Sequence, residues 1–143
     1  MPFSCRTTLL KKNPCLSHGK HKINKKLFSA ILLYILGKTY DISLVFVGDK
    51  RSRTLNRIYR KKDKATNILS FPLSKTSGEI IINPYITARE ARSHDVSYDI
   101  YVTYLFIHGL LHLKGLRHGS KMEMEEKKML KKFLPKHYFE FII

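Results

Sequence analysis

Asn67-Ile-Leu-Ser-Phe71-Pro72 and, after a polar loop from Ser74 to Gly78, Glu79-Ile-Ile-Ile82-Asn83-Pro84 decide the fold. Each is a short run of strand-forming residues closed by one that stops a ladder. Pro72 has no backbone N–H to donate, and Asn83-Pro84 is a turn signal. The short loop between the runs predicts a hairpin. Working outward, Ile42-Ser-Leu-Val-Phe-Val47 predicts a further strand that closes at Gly48-Asp49. Beyond Pro84 the pattern turns helical: Tyr85 to Ser93, then a long apolar helix begun at or beside Ser97, then Met122 to Leu134 with Pro135 after it. Toward the N-terminus, Ile23 to Lys38 predicts a helix opened by Asn24. Thr54 is a candidate cap for a short helix with Leu55, Ile58 and Tyr59 on its inner face. Residues 1–22 are weakly patterned and offer either one strand or partial disorder. With that strand counted, the expectation is an α+β domain in which a small mixed four-stranded sheet packs with about five helices.

A chain of 143 residues is one domain by size, and 43% hydrophobic residues suffice for a single core. Its charge is unusual: 27 Lys+Arg against 11 Asp+Glu give +16. Such an excess points to a polyanionic partner, nucleic acid or an anionic membrane surface. Two cysteines, Cys5 and Cys15, make no disulfide framework, which favours a reducing compartment. Cys15-Leu-Ser-His18-Gly-Lys-His21 matches no closed four-ligand spacing and is not expected to bind metal. Leu27 to Leu36, after a basic leader, has the look of a signal peptide. However, Gly-Lys-Thr-Tyr after it offers no small-residue cleavage site, and the run is too short to span a bilayer. It reads as a buried core helix, and the expected location is cytoplasmic, with no membrane partner.

The densest positive charge lies between Lys50 and Lys64: Lys50, Arg51, Arg53, Arg57, Arg60, Lys61, Lys62 and Lys64, offset by Asp63. A channel lined this way would hold a phosphate backbone with salt-sensitive affinity. A second cluster, Lys121, Lys127, Lys128, Lys131 and Lys132, is interleaved with Glu123, Glu125 and Glu126. Those acids can pair with lysines three to five positions on, as on a solvated helix face.

Chemistry concentrates in His108-Gly-Leu-Leu-His112-Leu-Lys-Gly115-Leu-Arg-His118. His108 and His112 are four apart and project from one face of a helix. Gly115 can take positive φ, so the chain can end the helix and bring His118 to the same point. Three protein nitrogens with a fourth position open make a catalytic rather than a closed structural zinc site. The spacing is that of the metzincin proteases, but the glutamate they need after the first histidine is replaced by Gly109. A metal site survives that change; the usual peptidase mechanism does not.

Taken together, Leu55-Asn56-Arg-Ile-Tyr59-Arg60-Lys-Lys-Asp63-Lys-Ala-Thr66-Asn67-Ile-Leu-Ser70-Phe71-Pro72, then Gly78-Glu-Ile-Ile-Ile-Asn83, then the three-histidine string resemble the YbeY family of rRNA maturation factors. The likeness covers roughly Asp41 to Lys132. It implies a metal-dependent endoribonuclease of single-stranded RNA, acting on the 3′ end of 16S, the small-subunit rRNA, and in removal of defective ribosomes. Its implied fold places one metal ion, normally zinc, at the floor of a basic cleft. His108, His112 and His118 fall on the family's H-x3-H-x5-H ligands. Arg60 falls on the arginine of a Tyr-Arg motif implicated in catalysis or RNA grip. Thr66 to Pro72, with Ser70, falls on the T-[DN]-V-L-S-F-P strand that lines the cleft, and the basic stretch adds Arg57, Lys61 and Lys62 to Arg60 and Ser70 as candidate RNA-binding residues. One departure stands out: Gly115-Leu116-Arg117-His118 replaces the usual Gly-Tyr-Asp-His, removing a carboxylate that could support a ligand from behind.

Phosphodiester hydrolysis fits these residues. A bound metal brings the pKa of its water from about 15.7 towards 7, or polarises a phosphoryl oxygen. Arg60 would stabilise charge on the equatorial oxygens. No carboxylate next to the histidine string offers an evident general base. Two alternatives stay open: a non-catalytic RNA-binding ribosome-assembly factor with a structural zinc, and a metallopeptidase that recruits its carboxylate from elsewhere.

Overall fold

The computed structural model describes residues 23–135. Its elements are α1 (Lys25–Leu36), β1 (Asp41–Phe46), α2 (Asp49–Arg60), β2 (Ile68–Ser74), β3 (Ser77–Ile82), α3 (Pro84–Ser93), α4 (Tyr98–Leu113) and α5 (Ser120–Phe133). The strands form one mixed sheet in the order β1-β3-β2. β2 and β3 are the expected antiparallel hairpin, and β3 pairs in parallel with β1. The α+β class holds, but the sheet has three strands among the described residues rather than four. All three come from the β-patterned runs above; the fourth expected strand falls in residues 1–22, outside the described residues, as does the Cys15–His21 segment.

The hairpin is tighter and longer than its sequence suggests. The Ser74 and Ser77 hydroxyls lie 2.7 Å apart across the turn. Pro72 does not stop β2, which continues to Ser74 through an irregularity in register between Pro72 and Ser74. An edge strand tolerates proline because the missing N–H can face away from the ladder.

One sheet face carries the main core. Ile42, Leu44, Ile68, Ile80 and Ile82 pack beneath α4, whose residues from Tyr101 to Leu111 are mostly buried. α1 lies against α4, with Phe28 and Phe106 stacked at 4.3 Å between centroids and 9° between planes. The apolar run at Leu27 to Leu36 is therefore a core helix. It buries Phe28, Ile31, Leu32 and Ile35, and Asn24 caps it by accepting from the Leu27 N–H. Each such side chain stabilises the fold by roughly 1.5–3 kcal/mol. Ser97 caps α4 in the same way, accepting from the Ile100 N–H.

α2 differs from expectation. It begins at Asp49 after Gly48, and Thr54 sits in mid-helix with its hydroxyl donating to the Lys50 carbonyl. Ile58 and Tyr59 are exposed, Tyr59 keeping one ring contact with Phe71; of the expected inner face Leu55 packs against the smaller outer-face cluster of Val47, Leu69 and Ile81. The residues α2 buries are polar, Ser52 and Asn56. They tie down the loop that follows the helix: Ser52 Oγ donates to the Thr66 carbonyl and accepts from the Thr66 N–H, while Asn56 Nδ2 donates to the Lys64 carbonyl. Among the described residues, no helix is long and apolar enough to cross a membrane.

Candidate metal centre

α4 ends in a turn that Gly115 makes possible. Gly115 has φ +104°, its N–H donates to the His112 carbonyl, and the Leu116 N–H donates to the Leu111 carbonyl. This pair of bonds is a Schellman motif, which needs the left-handed region at Gly115. The turn serves the site twice. It swings His118 back over the end of α4, placing its ring centroid 4.6 Å from that of His112 and 5.2 Å from that of His108. It also aims the Leu116 carbonyl at His112 Nδ1, 3.0 Å away.

One potential ligand atom from each of the three histidines lies within 4.8 Å of the others. The tautomers follow from the partners. A carbonyl can only accept, so His112 Nδ1 carries a proton. His108 Nδ1 meets the Glu126 carboxylate and does the same. With the Nδ1 positions taken, the two Nε2 atoms are the ones left to ligate, and they face each other at 3.1 Å. A proton shared between them, or a metal ion held by both, offsets the repulsion of two lone pairs at that distance. Tetrahedral zinc, with ligands near 2.05 Å, would hold two nitrogens roughly 3.3 Å apart. The donor set thus fits a divalent ion with a preference for nitrogen. His112 is also kept below the ordinary imidazole range, first by burial and then by the neighbouring His108, which favours the neutral, ligating form.

The basic stretch reaches this site at one point. Arg60, the last residue of α2, lies close enough to His112 to add to the lowering of its pKa. Arg57, Lys61 and Lys62 are exposed around it. Lys61 ends the helix in the left-handed region, φ 60°. The loop beyond is held by a bidentate pair, Arg53 Nε and Nη2 donating to the two Asp63 oxygens at 2.9 and 3.0 Å. Ser70, half-buried on β2, faces α4 rather than the basic loop.

Residues 13–135 match the family described as endoribonuclease YbeY. The chain belongs to the YbeY family. Proteins named endoribonuclease YbeY resemble it from several bacteria. That of Agrobacterium fabrum is 39% identical over 99 residues, 63% of this chain and 59% of the relative. That of Campylobacter jejuni strain RM1221 is 37% identical over 105 residues, 67% of this chain and 78% of the relative. That of Methylobacillus flagellatus is 33% identical over 113 residues, 77% and 76% of the two chains. The match thus spans less than two thirds of the Agrobacterium protein and more of the others. The solution structure of TM1509 from Thermotoga maritima superposes with a TM-score of 0.57 at 27% identity, covering 80% of this chain and 85% of that one.

A carboxylate does reach the histidines in this chain, from α5 rather than from position 117. Arg117 is exposed. Glu126, one of the acids expected to pair with lysines on a solvated face, is instead buried on α5 and hydrogen-bonded to His108. Sequence reasoning missed it because 18 residues separate the two; its place on the apolar side of α5, in step with Met122, Met129 and Leu130, was the available signal. Gly109 is explained by packing. A Cβ there would meet Ser70 Oγ at 2.9 Å and Ile68 Cδ1 and Ile80 Cδ1 at 3.0 Å, so a side chain at this position would have to push all three aside to keep α4 this close to the sheet. Tyr104 lines the cavity beside His108, with Glu123 and Lys127 at its rim. Its hydroxyl is pushed up to about 12 by burial and then by the charges of Glu126 and Glu90, so it stays a neutral donor.

Proposed function

We propose that this chain is a zinc-dependent endoribonuclease of single-stranded RNA, working in the cytoplasm on ribosomal particles, in maturation of the 16S rRNA 3′ end and in ribosome quality control. The observation that carries this is the pair of imidazole Nε2 atoms held toward each other, with His118 folded over them and Arg60 near enough to act electrostatically on His112. The names of the relatives above and the excess of positive charge supply the substrate class.

His108, His112 and His118 would hold the ion. When bound, it supplies Lewis-acid polarisation of a phosphoryl oxygen and activates water at neutral pH. Arg60 places a planar cation beside that position, suited to two oxygens of one phosphate. Arg57, Lys61 and Lys62 hold the flanking phosphates, and Ser70 lies under the helix that carries the ligands. Glu126 orients His108 from its Nδ1 edge, turned away from the converging Nε2 atoms, so it does not act as the base. Glu123, exposed, is the other acid that lines the same cavity. The protease glutamate has no equivalent, since Gly109 leaves its position without a side chain.

The test couples zinc quantification to cleavage of a single-stranded RNA carrying an immature rRNA 3′ end. Stoichiometric zinc with cleavage that Arg60→Lys abolishes is the expected result. RNA binding without cleavage by zinc-loaded protein would make the chain an assembly factor, and degradation of an unstructured protein would make it a peptidase.

A further inference from the structure

The sheet face turned away from α4 is only partly covered, because α2 spends its buried positions on Ser52 and Asn56 and their hold on the basic loop. What is left between α2 and the strands is an open groove of about 760 Å³, within the roughly 300–1,000 Å³ common for ligand sites. Val45, Ile81 and Phe71 floor it, Leu55 and Tyr59 wall it, and Arg51 stands at its side. Tyr59 is 61% exposed and Leu73, at the far lip, 63%. The Tyr59 and Phe71 rings lie 4.7 Å apart at 51°, leaving most of the tyrosine open to a flat partner.

Charge decides the occupant. Arg51 is in the groove, and the residues after Tyr59 are Arg60, Lys61 and Lys62, all exposed. Of the nearby acids, Asp63 is bound to Arg53, and Glu79 lies inside the groove, where it can accept from an N–H. An aromatic, apolar groove bordered by cations suits an unstacked base on a phosphate chain, whereas an apolar protein segment has no use for that border.

We propose that this groove binds a nucleobase of the substrate strand, stacked on Tyr59 beside Phe71, with the adjoining phosphates held by Arg60, Lys61 and Lys62. The proposal rests on the RNA reading of the histidine centre. Two neighbouring pairs of residues connect the places. Ser70 faces α4 while Phe71 faces the groove, and Tyr59 borders the groove while Arg60 lies by His112. The strand therefore crosses the rim of β2, with a base on one side and the phosphate to be cut on the other.

Fluorescence anisotropy of the zinc-loaded full chain tests this with a labelled oligoribonucleotide made resistant to cleavage, and with the same chain carrying abasic sugars. The base-bearing strand should bind roughly tenfold tighter than the abasic one, in line with loss of one base stack. Tyr59→Ala should lose that advantage on the base-bearing strand and leave abasic binding unchanged, while Tyr59→Phe keeps it. The side chain is exposed, so an unchanged melting temperature is the control for folding. Equal affinity of the wild type for both strands, or a Tyr59→Ala loss that is the same on both, would overturn the base site while leaving RNA binding standing. Failure to bind either strand would overturn the RNA reading itself and the base site with it. Base-selective binding without any cleavage of natural RNA supports the groove and removes only the nuclease activity.

Discussion

At the scale of single residues the site depends on which nitrogen of each ring is occupied. Leu116 and Glu126 tie off the Nδ1 atoms and leave both Nε2 atoms for an ion. His112→Ala removes the ligand at the centre of the trio, and dialysed protein should retain almost no zinc by elemental analysis; zinc equal to wild type would refute the assignment. Glu126→Gln keeps a hydrogen bond but removes the charge behind His108, and zinc affinity measured by chelator competition should fall about 10–100-fold. Gly109 carries a different constraint. Helix propensity alone would make Gly109→Ala stabilising by about 1 kcal/mol. Contact with Ser70, Ile68 and Ile80 reverses the sign, and thermal or denaturant unfolding should show a loss of about 1–3 kcal/mol. Shortening both isoleucines to valine in the same protein should recover part of that loss, which a purely backbone effect would not allow.

Among the elements, the helices were the most legible from sequence, because their ends carry local chemistry. Asn24 and Ser97 cap where their side chains indicate, and Gly115 makes the turn that the histidine spacing requires. α2 differs from its expected reading because it buries hydroxyl and amide groups rather than a hydrophobic stripe, and its partners lie eight and fourteen residues ahead in the loop. Periodicity cannot report that kind of helix. The Arg53–Asp63 pair that secures the same loop gives a pH prediction. The guanidinium holds the Asp63 carboxyl below its usual range. A carboxylate with a lowered folded pKa contributes stability above its unfolded pKa, and that contribution disappears as pH falls through the folded value. Asp63→Asn should therefore melt below wild type at neutral pH, with the gap closing in acid. A gap that persists at the lowest pH would show that the pair does not secure the loop. Both groups are solvent-exposed, so the effect is small and salt-sensitive.

For the molecule as a whole, the class and the convergence of the three histidines could be read from one sequence, since strand runs, helix caps and histidine spacing are local patterns. The carboxylate behind His108 and the uncovered sheet face could not, because each depends on segments that meet only after folding. The charge of +16 belongs to this scale too. Affinity for a single-stranded RNA should fall with salt on a log–log plot by about 0.7 for each phosphate neutralised. Arg57→Ala and Lys62→Ala should each flatten that slope; a slope that neither variant changes would place the RNA elsewhere. A last consequence belongs to β2, which pairs with β3 alone among the described residues and so leaves a row of peptide groups to solvent beside the working surface. Open rows of this kind invite a second molecule to zip on and start fibres. Pro72 and the broken register next to it interrupt the row where a stray strand would have to continue, so this flank is a poor template for chain-to-chain zipping.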